Sequence, residues 1–253
     1  SASGSVGAVA AAGVALAAIS AGAWQFAFLP VVVVLVGVLF TLRRVRDGPF
    51  VLRRVSLGVG DTGRRILSVP RARSLLVAYV CVSSVCQGFL AFLPTSLPAD
   101  MGFGAALSSG LFASVFVVAV VVGPAAGRLG DAVSRTVVGL AGVALAVVGL
   151  LTLVVGTTVP VAALGVVTVA VGLRSYPPVM QAHLIGLFPE DSMAGDLGAM
   201  KTVWTGVGSF APTYVGVVAA RSSYGLAFTG FVACLAVSLV VLGVLGARNR
   251  AIE

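Results

Sequence analysis

The chain has 253 residues, 59% hydrophobic and 9% charged, with a mean hydropathy of +1.13 and a formal net charge of +8. Soluble domains carry about 25% charged residues, so a water-soluble globule is excluded. Apolar runs of about 20 residues recur along the chain and imply membrane-spanning helices, because lipid leaves no other partner for backbone polar groups.

The expected fold class is all-α, a polytopic transmembrane helix bundle with about eight helices. The first predicted span covers 4–21, with small packing surfaces at Gly4, Gly7 and Gly13. It lacks a basic flank and a cleavage site and does not read as a signal peptide; the chain is expected to begin partway through a longer protein. A tight turn at Ser20–Ala23 leads into the second span, 23–42, which opens with the interfacial aromatics Trp24 and Phe26.

Residues 43–73 form the one long polar segment and hold Arg43, Arg44, Arg46, Arg53, Arg54, Arg64, Arg65, Arg71 and Arg73. Positive charge marks cytoplasmic loops, so this linker is predicted on the inner side, part of it as a short amphipathic helix at the leaflet surface. Such clustering in a gap between apolar runs is topology information, and no nucleic-acid partner is expected.

The third span, 74–97, ends near Pro94 and Pro98 and precedes an outer loop with Asp100. The fourth, 104–127, runs into the stretch GPAAGRLGDAVSRT at 123–136. Gly123 and Gly127 share one helix face and are expected to admit a close backbone. Asp131 and Arg135, also four apart, suit an ion pair, with Asp131 predicted at the N-terminal end of the next helix. The fifth span, 134–156, turns at Thr157–Pro160 into the sixth, 160–187; FPEDSM at 188–193 leads to the seventh, 195–219. A turn at Arg221–Tyr224 opens the eighth, 225–246, which stops before Arg248 and Arg250. On this topology the inner segments also carry Arg128, Arg135, Arg248 and Arg250, the outer loops only Arg221, and both chain ends lie inside.

Ionisable or polar residues within spans are candidates for function, because lipid exposure of a charge costs about 2.5–3.5 kcal/mol on insertion scales. Arg174 lies fourteen residues beyond Pro160, about 21 Å into a core of about 30 Å. Gln181 shares its face seven residues on, and Pro177 and Pro178 between them free carbonyls and kink the helix. Arg174 either binds an anionic group on a substrate, or snorkels inward, or pairs with a carbonyl or Asp196. His183 falls on the opposite face and reads as a packing or interfacial histidine. Lys201, Thr205, Gly208 and Pro212 form a helical stripe with Trp204 beside it; Lys201 either faces a cavity or snorkels to the nearby inner loop. Gln87, alone in the third span, needs a partner inside the bundle. Cys81, Cys86 and Cys234 lack ligand spacing and read as small buried hydrophobes.

The chain has one His, no HExxH and no mid-span acid pair, so no catalytic residue, metal or cofactor is expected and an intramembrane enzyme is disfavoured. A membrane receptor or scaffold without transport activity is the alternative to a carrier.

The whole pattern resembles the major facilitator superfamily. That family joins two six-helix halves by a long cytoplasmic loop and carries a signature loop G-x-x-x-D-(R/K)-x-G-(R/K)-(R/K) between the second and third helices of a half. Gly127, Asp131 and Arg135 match its first glycine, acid and a basic position, whereas Ala132, Ser134 and Thr136 depart from it. Two spans precede the motif after the arginine-rich loop and four follow it. AWQFAFLP, YGLAF and FPEDSMAGDLGA are similar to the starts of the sixth and twelfth helices and the turn before the eleventh.

The resemblance implies that 1–42 holds the last two helices of the N-terminal half, 43–73 the cytoplasmic linker and 74–253 the C-terminal half, with about four helices missing, so that this chain alone is not expected to transport. It implies a secondary transporter in the cell membrane that moves a small-molecule substrate by rocker-switch alternating access, with the lipid bilayer as its surroundings and a proton as a conceivable coupling ion. Gly127, Asp131 and Arg135 would then gate the inner side; Arg174, Gln181, Gln87, Lys201 and Trp204 would face the cavity; Pro177, Pro178 and Pro212 would be hinges. The faces meant for the missing half should be rich in small and polar residues.

Overall fold

The structure is a computed structural model that describes residues 29–45, 59–189 and 192–250. Its regular elements, among the described residues, are helices: α1 (Leu29–Val45), α2 (Val59–Ser68), α3 (Pro70–Met101), α4 (Ala105–Ala132), α5 (Arg135–Val155), α6 (Val159–Ile185), α7 (Met193–Gly208), α8 (Ala211–Arg221) and α9 (Tyr224–Arg250). Six stretches are long and apolar enough to cross a membrane: Pro70–Met101, Ala105–Ala132, Arg135–Val155, Val159–Ile185, Met193–Arg221 and Tyr224–Ala247. These are the third to eighth expected spans. The first lies outside the described residues, and the second is described only from Leu29, as the 17-residue α1, so the expected total of eight is not established.

The ends of the helices follow local chemistry more than hydropathy. Pro70 opens α3 in the first turn, where its missing N–H is not needed. Arg71 and Arg73, expected in the linker, therefore belong to the spanning helix. Its far end closes on Gly102, whose φ of 68° is the left-handed conformation; Gly102 N–H donates to Pro98 O and the following Phe103 N–H to Leu97 O. The ten-residue α2 packs against α7 and α3 and buries Ile66, while Arg64 stays exposed. It is the amphipathic helix expected in the linker, with its apolar side turned onto the bundle.

α5 and α6 form the tightest pair, α4 covers another side of α6, α9 packs on both α3 and α5, and α7 and α8 lean on α3. The core between them is aliphatic and aromatic, with Tyr176, Phe89, Leu93, Leu150, Met200 and Leu235 fully buried. Glycines set the α5–α6 spacing. A methyl group on Gly165 would stand 2.9 Å from Leu153 N and 3.1 Å from Gly149 O; one on Gly172 would stand 2.8 Å from Ala146 Cα and strike its amide. Gly142 and Gly149 on α5 thus face Gly172 and Gly165 on α6, seven residues apart on each helix, and the backbones touch.

One local expectation meets no partner among the described residues, and one is corrected. Gly123 and Gly127 admit no close backbone among the described residues, for nothing lies within 4 Å of the place a side chain would occupy. Asp131 does not begin the next helix: α4 continues to Ala132, and the break falls at Val133–Ser134. The small and polar residues there sustain the helix because each amide still finds its i−4 carbonyl, and Val133 N–H still donates to Leu129 O.

Candidate functional site

At the end of the bundle where α4 meets α5, Arg135 makes three contacts. Its Nη2 and Nε donate to Asp131 Oδ1 at 2.9 and 3.2 Å, and its Nη1 donates to Ala182 O at 3.0 Å. One guanidinium therefore ties the last turn of α4 to the last turns of α6. The side chains of Asp131 and Arg135 are 65% and 42% exposed, so the ion pair itself contributes about 0–1 kcal/mol. The bond to Ala182 adds direction, because it carries the α4–α5 junction across to α6. Close by, Gly130 is buried against Val179, 3.1 Å from where its side chain would stand. His183, one residue beyond Ala182 and half-buried on α6, has Arg135 and Arg71 as its charged neighbours.

The accessible stripe of α6 runs through Leu164, Thr168, Val171, Arg174, Pro178 and Gln181. Arg174 is half-exposed, and its guanidinium carbon lies 5.7 Å from the centroid of the Phe116 ring on α4. It has no carboxylate within ion-pair distance among the described residues. A ring face offers a cation about 0.5–2 kcal/mol, less than the about 2.5–3.5 kcal/mol that a mid-span charge costs. Gln181 is exposed, on Arg174's face as the seven-residue spacing requires. Pro177 and Pro178 lie within α6, and Pro177 O accepts a 3.3 Å hydrogen bond from the Tyr79 hydroxyl of α3.

On α3, Gln87 Nε2 donates to Ser83 Oγ and to Thr205 O of α7, both at 3.2 Å. The expected partner inside the bundle is thus a backbone carbonyl beside a helix break. The span Met193–Arg221 is interrupted after Gly208, where Ser209 N–H donates to Thr205 O and Phe210 N–H to Val207 O before α8 restarts at Ala211. Pro212 sits in the first turn of α8, where a proline suits a restart. Trp204 is buried and stacked on Tyr79 at 4.1 Å, and Tyr79 meets Tyr176 edge-on at 5.0 Å. Lys201 is exposed, on a face it shares with Gly198, Thr202, Thr205, Gly206, Ser209 and Thr213. Asp196, by contrast, is fully buried in the first turn of α7.

The profile of the Major Facilitator Superfamily matches residues 1–212, a stretch that includes Asp131, Arg135, Arg174 and Lys201. The chain belongs to the Major Facilitator Superfamily. A search of curated proteins finds no match. Members of the superfamily are membrane transporters that bind small-molecule substrates, and they are not enzymes. This member is accordingly an integral membrane protein of the transporter class, and its six described spanning helices accord with that fold.

Other features of this superfamily member escape sequence reading. The α5–α6 glycine seam leaves a trace, the spacing of Gly142 and Gly149 and of Gly165 and Gly172. The Tyr79–Tyr176–Trp204 cluster leaves none, because its members come from three helices. At the opposite end of the bundle, Asp100 Oδ2 accepts a 2.9 Å hydrogen bond from Gly225 N and so caps α9. Beside it a cavity of about 610 Å³ opens among Ser96, Asp100, Leu153, Thr157, Tyr224 and Phe228. Arg174, Gln181 and Lys201 are not among its lining residues.

Proposed function

We propose that the protein is a secondary active transporter that moves a small solute by rocker-switch alternating access, with Arg135 as a latch on the cytoplasmic side. The observation that carries this reading is the double engagement of Arg135, with Asp131 in the last turn of α4 and with Ala182 O on α6. A charge that holds one partner within the hinge and one across the bundle has something to release when helices part. Gly127 lies one turn before Asp131 with open space around it, where a second half of the bundle would close. The 43–73 linker lies on the same side, 1–42 belongs to the N-terminal half and 74–253 forms the C-terminal half. The α6 stripe with Arg174 and Gln181, and the α7 face with Lys201, border the solute path. Pro177, Pro178 and the break before Pro212 are the points where those helices flex.

The test is cysteine accessibility from each side of the membrane, read in the complete gene product with Asp131→Asn. The expected outcome is a shifted balance between inward- and outward-open forms. An unchanged balance would reduce Asp131 to scaffolding. Saturable flux in vesicles separates a carrier from a receptor, which would bind without flux.

A further inference from the structure

We propose that Arg174, together with Phe116 and Phe112 of α4, forms a seat for an organic anion with an aromatic body. The carboxylate would meet the guanidinium and the ring would lie along the two phenylalanines. This names the cargo class and rests on the carrier reading only in calling the occupant cargo.

Arginine keeps its charge inside proteins and presents a planar fork that fits a carboxylate with two parallel hydrogen bonds. The described residues supply no counter-charge at that depth. The chain's eight acids are Asp47, Asp61, Asp100, Asp131, Glu190, Asp191, Asp196 and Glu253. None falls in the middle of a described spanning helix: Asp100 and Asp131 close α3 and α4, and Asp196 opens α7. Asp131 is already engaged by Arg135, and Asp100 holds Gly225 N.

What Arg174 does touch is aromatic. Phe116 lies under it, and Phe112, one turn away on α4, meets Phe116 edge-on at 5.1 Å. Both rings are half-exposed, so their apolar surface is open to a ligand. A second cation lies at a similar depth on another helix. Arg174 lies eleven residues from the end of α6 and Lys201 eight from the start of α7, about 16 Å and 12 Å from the same end of the bundle.

The probe is tritiated 2-naphthoate, bound to the full chain in phosphatidylcholine nanodiscs and competed with 2-naphthamide, its uncharged isostere. Saturable naphthoate binding that the amide does not displace is expected. Arg174→Gln should weaken it by about tenfold to a hundredfold, the loss of a charged hydrogen-bonding partner, with Arg174→Lys in between. Phe116→Leu should weaken naphthoate more than octanoate.

The wild-type comparison of acid and amide needs no variant to fold. Absence of saturable binding, equal competition by the amide, or unchanged binding in Arg174→Gln would overturn the proposal. So would suppression by phosphatidylglycerol nanodiscs, which would assign the guanidinium to lipid headgroups. Vesicle flux of the complete gene product is scored separately: binding without flux there sinks the carrier reading alone, and flux of another solute without naphthoate binding sinks this one alone.

Discussion

Asp131 and Arg135 each occupy the helix pole that suits them least. Asp131 lies in the last turn of α4, where backbone carbonyls already gather negative charge, and Arg135 begins α5, where amides gather positive charge. Each relieves the other, so removing one should leave the other worse than at an ordinary surface site. A double-mutant cycle of Asp131→Asn and Arg135→Gln, read by thermal unfolding in detergent, should return a coupling of about 0.5–1 kcal/mol. High salt should erode it, since both side chains are well exposed. The four-residue spacing made this pair legible in the sequence. Ala182 was not legible, because a backbone carbonyl 47 residues away has no side-chain signature. Glycines divide in the same way. Gly172→Ala should destabilise by about 1–3 kcal/mol, as overpacking does, because its methyl would strike the amide of Ala146. Gly127→Ala, with open space around it, should stay within about 0.5 kcal/mol.

At the scale of the helix, hydropathy located each described span but misplaced its ends. The expected 74–97 is Pro70–Met101 and the expected 104–127 is Ala105–Ala132. Apolarity measures what sits in lipid, whereas hydrogen bonding continues through arginines and prolines outside it. The expected 195–219 conceals a larger difference, the break between α7 and α8. Its ingredients, Gly208, Ser209 and Pro212, were visible, but they read as a stripe of polar and small positions. What decides the matter is Gln87 reaching Thr205 O beside the break, in space where a side chain on Gly208 would meet Gln87 and Ser83. Two changes separate these contributions. Pro212→Ala restores a donor and should slow amide exchange around Ser209–Thr213, measured by hydrogen–deuterium exchange. Gln87→Leu should lower thermal stability by about 1 kcal/mol through the lost bonds.

Across the whole molecule, the exposed surface is of two kinds. α5 exposes Val137, Leu145, Val148, Leu151 and Val155, an apolar set suited to lipid. α7, α8 and the break between them expose Gly198, Lys201, Thr202, Thr205, Gly206, Ser209 and Thr213 beside Val203, Val207, Phe210 and Val217, a mixed surface in which small and polar residues alternate with large apolar ones. α1 is exposed along Leu29–Arg44, with nothing among the described residues packed closely on it. In membranes, a cysteine at Thr205 should label with a water-soluble maleimide, and one at Val148 should not. Equal labelling would remove the distinction between the two faces. Fold class was legible from composition together with run length, because few charges point to lipid and apolar runs of about 20 residues fit helices and not barrel strands. The pairing of helices was not, because the glycine seam and the aromatic cluster join residues far apart in sequence.

The glycine seam also restricts how this bundle can rearrange. With Gly142 opposite Gly172 and Gly149 opposite Gly165, α5 and α6 interlock at two notches. A slip of one turn, about 5.4 Å, would drive side chains into bare backbone, and the next permitted register lies two turns away. The two rods are therefore free to swing together as a single plank but not to creep lengthwise past each other. Any large excursion of the protein must be taken up beyond that plank, with the interrupted α7–α8 rod the natural place for it.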